Sequence, residues 1–492
     1  MFESAELGQK ISKSEYDRTV PTLREELLDV QYDLRQCGKF QVIILIGGVD
    51  GAGKSETVKI LNAWMDPRYI ETNAMRSATA EELAHPPMWR FWRALPPQGK
   101  IGIFFGSWYT EPIINRVYRK IKDDALDGAM ERVVRFEKML LDEGALILKF
   151  WLHLSKEAQK KRLEKLAENP ETRWRVTEIE WNHFQLYDKF RRISERALLK
   201  TSPPTAPWII VEGSDARFRY LTVGRIIRDA LRKRLDGKTP DSARPAALPL
   251  LPIKEKFQLR SLDFSQEMTK REYEQKLEKY QRKLNLLVRS RKFGKTSVIL
   301  VFEGSDAAGK GGGIRRVTGA LDPRSYRIVS IAAPTEEEKR HPYLWRFWRH
   351  VPAKGSFTIF DRSWYGRVLV ERVEGFCSRD SWVRAYGEIN DFEEQLTQSG
   401  GVLIKFWLSI TKEEQLRRFK ERENTGFKRF KITDEDWRNR KKWDRYEIAV
   451  GEMIDRTSTE RAPWTLVEAN NKYYARIKIL KAICSRIEEA LR

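Results

Sequence analysis

The chain has few of the features that mark a secreted or membrane-spanning protein. Its 492 residues include three cysteines, Cys37, Cys377 and Cys484, whose number and spacing fit neither a disulfide framework nor a zinc site. The opening residues MFESAELGQK are acidic and lack the apolar stretch of a signal peptide. No apolar run approaches the roughly 20 residues that a bilayer span requires. We therefore expect a cytoplasmic protein with no membrane partner.

Acidic residues are outnumbered by basic ones. The chain has 92 lysines and arginines against 70 aspartates and glutamates, a formal net charge of +22. Both signs are spread along the whole sequence, so the excess is not a basic tail on a neutral body. A field of this kind favours a polyanionic partner, such as nucleic acid, an anionic membrane or a phosphate-rich small molecule. The apolar content of 41% is typical of a globular protein.

The sequence repeats itself at an offset of 256 positions. Asp50 is equivalent to Asp306, and Lys54 is equivalent to Lys310. The segments DPR, WRFWR, KFWL and APW each occur twice at the same offset. No insertion or deletion interrupts the register from about residue 38 to at least residue 213. Because insertions concentrate in exposed loops, this register predicts two copies of one domain with equivalent loops.

Each repeat alternates short apolar runs with longer amphipathic patterns. The runs QVIILI, GIFF, ALILKFWL and WIIV of the first repeat correspond to SVILVF, FTIF, VLIKFWL and WTLV of the second. Continuous apolar strands separated by helices predict an α/β protein with parallel sheets covered on both faces. The segment 237–255, rich in Pro and Ala, predicts a linker between domains at 1–236 and 256–492.

A glycine-rich turn follows the first strand of each repeat. GVDGAGKS at 48–55 matches the P-loop pattern in full, and GSDAAGKG at 304–311 departs from it at its last position. Small residues let backbone N–H groups surround a phosphate at the positive end of a helix, and the lysine reaches the transferred phosphate. We therefore predict two tandem doubly wound, P-loop kinase-like domains. The predicted phosphate-binding loop of the second comprises Gly304, Ala307, Ala308, Gly309, Lys310 and Gly311.

The second repeat also carries candidate ligands for Mg²⁺. Gly311 stands where P-loop proteins ordinarily have the Ser or Thr that binds this ion. Asp306 lies within the loop, and Asp361 ends the apolar run FTIF. Both positions fall at the carboxyl ends of predicted strands, where α/β proteins bind their ligands. The sequence therefore predicts a magnesium ion held by two carboxylates against a phosphate chain.

The second repeat resembles the family-2 polyphosphate kinases, P-loop enzymes that transfer phosphate from inorganic polyphosphate to a nucleotide. The resemblance rests on EGSDAAGKGG at 303–312, HPYLWRFWRHVPAKG at 341–355, IFDRSWYGRVLVERVEGF at 359–376 and the segment 430–447. The duplication is similar to the fused, two-domain branch of that family. This similarity implies AMP as the phosphate acceptor and ADP as the product, with ADP as the alternative acceptor.

The resemblance implies a role for individual residues. Asp306 and Lys310 match the loop carboxylate and lysine of the family. Asp361 and Arg362 match its metal-binding carboxylate and phosphate-clamping arginine. The segment after VLIKFWL is similar to the family's lid. Its candidate polyphosphate contacts are Arg418, Arg422, Lys428 and Arg429.

Two arginines of the repeated WRFWR segment are further candidates. Arg346 and Arg349 are three residues apart and follow the HP turn near the loop. Such spacing predicts a shared helix face, so both can contact phosphate; the alternative is a helix with buried aromatic rings and solvent-facing arginines.

The first repeat lacks part of this set. Phe105 and Gly106 replace Asp361 and Arg362, and Glu111 stands where the second repeat has another arginine. We predict that the first repeat keeps the fold and can bind an anion, while the second performs the chemistry. The two should pack as a pseudo-symmetric pair in place of a homodimer, and a homo-oligomer of the tandem unit stays open.

These features predict a Mg²⁺-dependent polyphosphate:nucleotide phosphotransferase with no nucleic-acid partner. The loop and Lys310 are expected to hold the acceptor's phosphates, while Arg362 and the lid neutralise the polyphosphate. Two other classes stay open. One is an ATP-dependent kinase of a nucleoside or nucleic-acid end, which would bind nucleic acid with a steep salt dependence. The other is a polyanion-binding scaffold, which would show no magnesium-dependent turnover.

Overall fold

The computed structural model describes residues 1–237, 259, 261–426 and 432–492. It contains two five-stranded sheets, and every strand pair in them is parallel. The chain divides into two compact units, one around each sheet. The predicted α/β class with tandem parallel-sheet domains is confirmed. The predicted linker, apart from its first residue, lies outside the described residues.

The first repeat orders its strands β2–β3–β1–β4–β5 across the sheet. The strands are β1 (Val42–Gly48), β2 (Ile70–Ala74), β3 (Ile101–Phe105), β4 (Leu146–His153) and β5 (Trp208–Glu212). The helices are α1 (Lys13–Cys37), α2 (Lys54–Trp64), α3 (Ala80–Leu83), α4 (Trp89–Arg93), α5 (Thr110–Val117), α6 (Asp123–Asp142), α7 (Lys156–Glu168), α8 (Glu178–Gln185), α9 (Tyr187–Lys200) and α10 (Ala216–Leu235).

The second repeat has the equivalent order, β7–β8–β6–β9–β10. The strands are β6 (Val298–Gly304), β7 (Tyr326–Ser330), β8 (Phe357–Asp361), β9 (Val402–Ser409) and β10 (Trp464–Glu468). The helices are α11 (Lys270–Val288), α12 (Lys310–Thr318), α13 (Glu336–Lys339), α14 (Trp345–Trp348), α15 (Val370–Glu374), α16 (Arg379–Gln398), α17 (Lys412–Glu423), α18 (Asp434–Lys441), α19 (Trp443–Thr457) and α20 (Lys472–Ala490).

The central strands β1 and β6 are buried over nearly their whole length, as expected for strands covered on both faces. Each pairs with two neighbours, so the carboxyl ends of three strands meet beside the phosphate loop. Phe302 of β6 lies opposite Asp361 of β8, which brings the Asp361–Arg362 pair to the loop. In the part of the chain that the structure describes, no helix is long and apolar enough to cross a membrane.

Local sequence signals account for the ends of the long helices. Ser12 begins α1 by accepting a hydrogen bond from the Glu15 N–H, and Gly38 ends it in the left-handed conformation. Thr269 and Glu272 form a capping box at the start of α11. Both helices pack against the last helix of their own repeat, α10 and α20 respectively.

The segment SWY, which both repeats keep, belongs to a buried ion-pair network. In the second repeat Trp364 Nε1 and Tyr365 Oη donate to Glu393 Oε1, and Lys405 Nζ lies 2.7 Å from Glu393 Oε2. Burial lowers the pKa of Lys405, while Glu393 acts to raise it.

The first repeat builds the same network. Trp108 and Tyr109 donate to Glu137, whose Oε2 lies 2.7 Å from Lys149 Nζ. The letters shared by IFFGSWYTE and IFDRSWYGR therefore hold β4 or β9 to the helix beside it. The letters that differ lie on either side of SWY, at the end of β3 or β8 and at the two positions that follow SWY.

Candidate active site

The phosphate loop of the second repeat runs from the end of β6 into the first turn of α12. Gly304 and Gly309 have φ values of 153° and 108°, and Ala307 is also left-handed at 63°. A side chain at Gly304 would meet the carbonyl oxygen of Leu408 at 2.4 Å, so only glycine fits there. Lys310 Nζ donates to the Gly304 carbonyl at 2.8 Å and lies across the loop.

Glycines leave the entrance to α12 open. A Cβ added at Gly309 or Gly311 would meet no atom within 4 Å. Gly309, Lys310 and Gly311 line a cavity at the positive end of the helix, where an anion is stabilised. This is the arrangement that the predicted phosphate-binding role of the loop requires.

The charged residues predicted beside the loop lie together. Arg362 Nη2 is 3.4 Å from Asp306 Oδ1, and Asn439 Nδ2 donates to Asp306 Oδ2 at 2.9 Å. Arg362 has a φ of 64°, which costs an arginine energy and is typical of residues constrained by function. Asn439 could not be selected from its local sequence, because its partner Asp306 lies 133 positions away.

Two cavities meet at this cluster. One, here called the aromatic cavity, has a volume of about 320 Å³ and is lined by Trp407, Trp443 and Tyr446. The other, here called the basic cavity, has a volume of about 820 Å³. The side chains shared by both linings are those of Asp306, Lys310, Arg362 and Glu435.

The basic cavity is lined by cations from three helices. They are Arg315, Arg316, Arg418, Arg422, Lys472 and Arg476, together with the open loop and Asp361. Burial lowers the pKa of Arg476, and the nearby positive charge of Arg316 lowers it further. Acidic side chains such as Glu421 and Asp436 also line the cavity, but the cations outnumber them, which indicates a site for an anion.

Four of these cations were not predicted from the sequence. Arg315 and Arg316 lie one turn into α12, and Lys472 and Arg476 lie in the first turns of α20. The signal for the first pair was the run GGGIRR directly after the loop. The second pair is distant in sequence and carries no local signal.

The structure corrects the prediction for Arg418. Its side chain is 3% exposed and its guanidinium donates to backbone carbonyls of the loop, at Ala307 and Ala308, and of the chain after β10, at Ala469 and Asn470. Arg418 therefore supports the loop from behind and has no donor left for a lid contact. Arg422 does line the basic cavity. Lys428 and Arg429 lie outside the described residues.

The structure also separates Arg346 from Arg349. Arg346 is 8% exposed and donates to the carbonyl oxygen of Ala332, while Arg349 is exposed and follows the end of α14. The prediction that they share one face is therefore wrong. Neither arginine belongs to the residues that line the aromatic or the basic cavity.

Glu303 is a site residue that the prediction omitted. It ends β6 next to Gly304, lines the aromatic cavity and accepts a hydrogen bond from Ser363 Oγ at 2.8 Å. Burial raises the pKa of its carboxyl above the ordinary value, against the effect of Ser363 and Lys310. The first repeat has Gly47 at this position.

The carboxylates predicted to bind magnesium fit that ion. Asp306 and Asp361 both line the basic cavity beside the loop. Within the described residues no group of three or more acidic, His or Cys side chains could hold a metal. Mg²⁺ commonly takes one or two carboxylates and completes its shell with water and phosphate oxygens, so two carboxylates suffice.

The first repeat closes its loop with its own side chains. Lys54 Nζ lies 3.2 Å from Asp50 Oδ1, and His183 Nδ1 lies 2.7 Å from Asp50 Oδ2. Burial acts to raise the pKa of Asp50, but Lys54 and His183 hold it below its ordinary value. Phe105 and Gly106 lie at the end of β3, where the second repeat has Asp361 and Arg362.

Comparisons with known proteins agree with this geometry. The family model described as polyphosphate kinase 2 matches residues 10–238 and 267–492. A polyphosphate:AMP phosphotransferase of Pseudomonas aeruginosa is 56% identical, over 100% of this chain and 99% of that protein. One of Acinetobacter johnsonii is 38% identical, over 94% and 95% respectively. An NDP-polyphosphate phosphotransferase of Ruegeria pomeroyi is 37% identical over 46% of this chain and 75% of its own length.

A solved structure also matches along the whole chain. The crystal structure of a polyphosphate kinase 2 from Pseudomonas aeruginosa superimposes with a TM-score of 0.90 at 55% identity, over 100% of this chain and 99% of that one. The predicted resemblance is thereby confirmed over both repeats, and the chain belongs to the polyphosphate kinase 2 family.

Proposed function

We propose that this chain transfers the terminal phosphate of inorganic polyphosphate to AMP, and that the second repeat carries the reaction. The observation that carries the proposal is the meeting of an aromatic and a basic cavity at Asp306, Lys310 and Arg362. Two full-length relatives, of Pseudomonas aeruginosa and Acinetobacter johnsonii, are named polyphosphate:AMP phosphotransferase.

The basic cavity binds the donor. Beyond the loop, Arg315, Arg316, Arg422, Lys472 and Arg476 line this cavity, so a long donor can contact more cations than the loop alone supplies. Gly309 and Gly311, at the start of α12, line this cavity, whereas Gly304 at the end of β6 lines the aromatic one. We therefore assign the loop to the donor's terminal phosphates, which replaces the expectation that it holds the acceptor's.

The aromatic cavity binds the acceptor. Trp407, Trp443 and Tyr446 provide flat apolar surfaces against which a purine can stack. Tyr446 Oη donates to Asn439 Oδ1, and Asn439 in turn donates to Asp306. This chain of hydrogen bonds connects the wall of the base site to the carboxylate beside the transferred phosphate.

The reaction is a direct transfer between these two cavities. A phosphate oxygen of AMP attacks the terminal phosphorus of polyphosphate, the P–O bond to the penultimate phosphate breaks, and the shortened chain leaves with the bridging oxygen. Lys310 and Arg362 neutralise the charge on the transferred group. Asp306 and Asp361 would hold Mg²⁺, which supplies further neutralisation of phosphate charge when bound. Positioning and charge are the main demands of this chemistry, and no histidine base is required.

The proposal is tested by initial rates with Mg²⁺, excess polyphosphate, and AMP or ADP at matched concentrations. We expect ADP to form from AMP, with little ATP formed from ADP. If ATP accumulates from ADP while AMP stays unused, the acceptor assignment is wrong. If neither nucleotide is phosphorylated, the phosphotransferase assignment is wrong.

ADP is the second candidate acceptor, because several relatives that match only part of this chain are named for diphosphates. Relatives that match about two fifths of this chain are named for diphosphates, among them an ADP-polyphosphate phosphotransferase of Rhizobium meliloti at 42% identity over 40% of this chain. The same experiment separates the two acceptors.

A further inference from the structure

The first repeat keeps a cavity at the position of the aromatic cavity. It has a volume of about 270 Å³, and its lining is equivalent to that of the aromatic cavity at most positions when 256 is added to the residue number. Trp151, Tyr187 and Phe190 take the places of Trp407, Trp443 and Tyr446. This space, here called the first cavity, plays no part in the proposed reaction.

The charges of the first cavity are removed or neutralised. Gly47 and Gly106 replace Glu303 and Arg362, two of the ionic side chains that line the aromatic cavity. Lys54 is turned onto Asp50 and onto the Gly48 carbonyl, at 2.7 Å from its oxygen. The wall therefore offers aromatic surface with no uncompensated charge.

Two buried polar atoms in this wall lack partners. Trp151 is 8% exposed and Gln159 is 3% exposed, and both line the first cavity. Within the described part of the chain, Trp151 Nε1 and Gln159 Oε1 are buried without a hydrogen bond. Buried polar groups are nearly always satisfied, so one unpaired donor and one unpaired acceptor in one wall indicate a ligand that supplies both complements.

The phosphate position of the first repeat is already filled. Glu56, in the first turn of α2, has its carboxylate bound by Arg162, Arg175 and Arg219 at 2.9, 3.0 and 3.2 Å. The Arg219 guanidinium lies 2.3 Å from where a Cβ on Gly53 would stand. These side chains obstruct the start of α2, the counterpart of the loop assigned to the donor's phosphates in the second repeat, so the first repeat offers no donor site.

The equivalent positions of the second repeat are open. Gly312 replaces Glu56 and Ala475 replaces Arg219. The difference is not a general loss of binding in the first repeat, because the aromatic wall is kept while the phosphate position is closed.

From these observations we infer that the first repeat binds a nucleoside, an uncharged ring compound with hydrogen-bond donor and acceptor atoms, and discriminates against the corresponding nucleotide. The rings of Trp151, Tyr187 and Phe190 stack on the base, and Trp151 Nε1 and Gln159 Oε1 pair with its polar edge. The volume lies near the lower end of ligand pockets, roughly 300 Å³ upward, which suits a ligand without phosphates.

Titration calorimetry of the full-length protein tests this inference. Val370→Trp fills the aromatic cavity of the second repeat, and Ile114→Trp fills the first cavity at the equivalent position. We expect Val370→Trp to bind one adenosine per chain, with AMP at least tenfold weaker. Addition of Ile114→Trp should abolish that binding. Ile114→Phe is a smaller filling variant, to be used if the tryptophan variant does not fold.

A second variant tests why the nucleotide is rejected. Gly106 replaces Arg362, and Lys54, which lines the first cavity, is paired with Asp50. In the Val370→Trp background, Asp50→Asn removes the carboxylate charge and leaves Lys54 available to a phosphate. We expect AMP to gain at least tenfold in affinity relative to adenosine.

Three results would overturn the inference: no adenosine binding by folded Val370→Trp protein, adenosine binding that persists when both cavities are filled, or AMP binding as tight as adenosine binding with Asp50 intact. These readouts need no turnover, so they stand apart from the identity of the phosphate acceptor.

Discussion

Lys310 and Lys54 occupy equivalent positions, yet their surroundings differ. Lys310 borders both cavities of the second repeat, whereas Lys54 is paired with Asp50. We expect Lys310→Ala or Asp361→Ala to lower the rate of phosphate transfer on the order of a hundredfold or more, because a preorganised charge is lost. Lys54→Ala is the matched control and should keep most of the rate. The measurement is the initial rate of ADP formation from AMP and polyphosphate.

If Lys54→Ala protein is folded but inactive, the first repeat takes part in the chemistry and the division of labour is wrong. Circular dichroism and the melting temperature establish folding for each variant.

Individual residues also show which parts of the site could be predicted from the sequence and which could not. Lys310, Asp306, Asp361 and Arg362 could be selected because each follows a strand within a few positions. Arg418 could not be placed from its position in the lid segment, since its role depends on loop carbonyls 110 and 111 positions away. A local pattern identifies a cation, but only the packing decides whether it faces a ligand or the protein.

Among the elements, the turn after β8 combines function with strain. Arg362 has a φ of 64°, and the equivalent residue in the first repeat is Gly106 with a φ of 78°. A left-handed conformation costs a non-glycine residue roughly 1–2 kcal/mol. We therefore expect Arg362→Gly to be more stable than Arg362→Ala by about 1 kcal/mol, although both lose the guanidinium and its activity. Denaturant unfolding of the two variants measures the difference.

Addition of a side chain at the equivalent position of the first repeat, Gly106, provides a control for this turn. A Cβ on Gly106 would lie 2.6 Å from the Met75 carbonyl oxygen, so Gly106→Ala should be destabilising. If Arg362→Gly is no more stable than Arg362→Ala, the turn is not strained in the way that its dihedral angle indicates.

The buried ion pairs are a second element that both repeats share. Lys405 and Glu393 are 0% and 1% exposed, and Lys149 and Glu137 are 0% and 2% exposed. Removal of one partner leaves a buried charge, which costs about 3–5 kcal/mol. We expect Lys405→Met and Lys149→Met to lower the unfolding free energy by similar amounts. Thermal melts of both variants make the comparison.

A large difference between the two losses would contradict this prediction. The sequence could reveal that SWY is repeated, but it could not reveal why. The partners of Trp364 and Tyr365 come from a helix and a strand 28 to 40 positions along the chain.

In the molecule as a whole, the excess of positive charge and the basic cavity favour a long anionic donor. A polyphosphate chain makes many simultaneous contacts, so its apparent affinity should fall steeply as salt is added. We expect the KM for long-chain polyphosphate to rise much more strongly with NaCl concentration than the KM for AMP, which makes few such contacts. Rates between low and physiological ionic strength provide the test. Equal or better activity with ATP as the sole donor would contradict the assignment.

The fold of the whole molecule was accessible from the sequence because the register is unbroken. Two sets of apolar runs at one offset predicted two domains with parallel sheets. The runs covered four of the five strands in each sheet, because the edge strands β2 and β7 are short and only partly buried. The side chains that fill the first phosphate loop could not be predicted from the sequence. Glu56 and Arg219 are 163 positions apart, and nothing in either local segment indicates that they meet.

The first repeat has a closed loop and the second an open one, so the two can be compared within one chain by protein engineering. Because the positions of the two sites correspond at an offset of 256, their differences can be exchanged one at a time: Gly47→Glu, Phe105→Asp, Glu56→Gly and Arg219→Ala each give the first repeat the residue of the second. Gly106→Arg also requires the Met75 carbonyl to move. Turnover per molecule, measured as these exchanges accumulate, would show whether the closed copy can be made active by substitution.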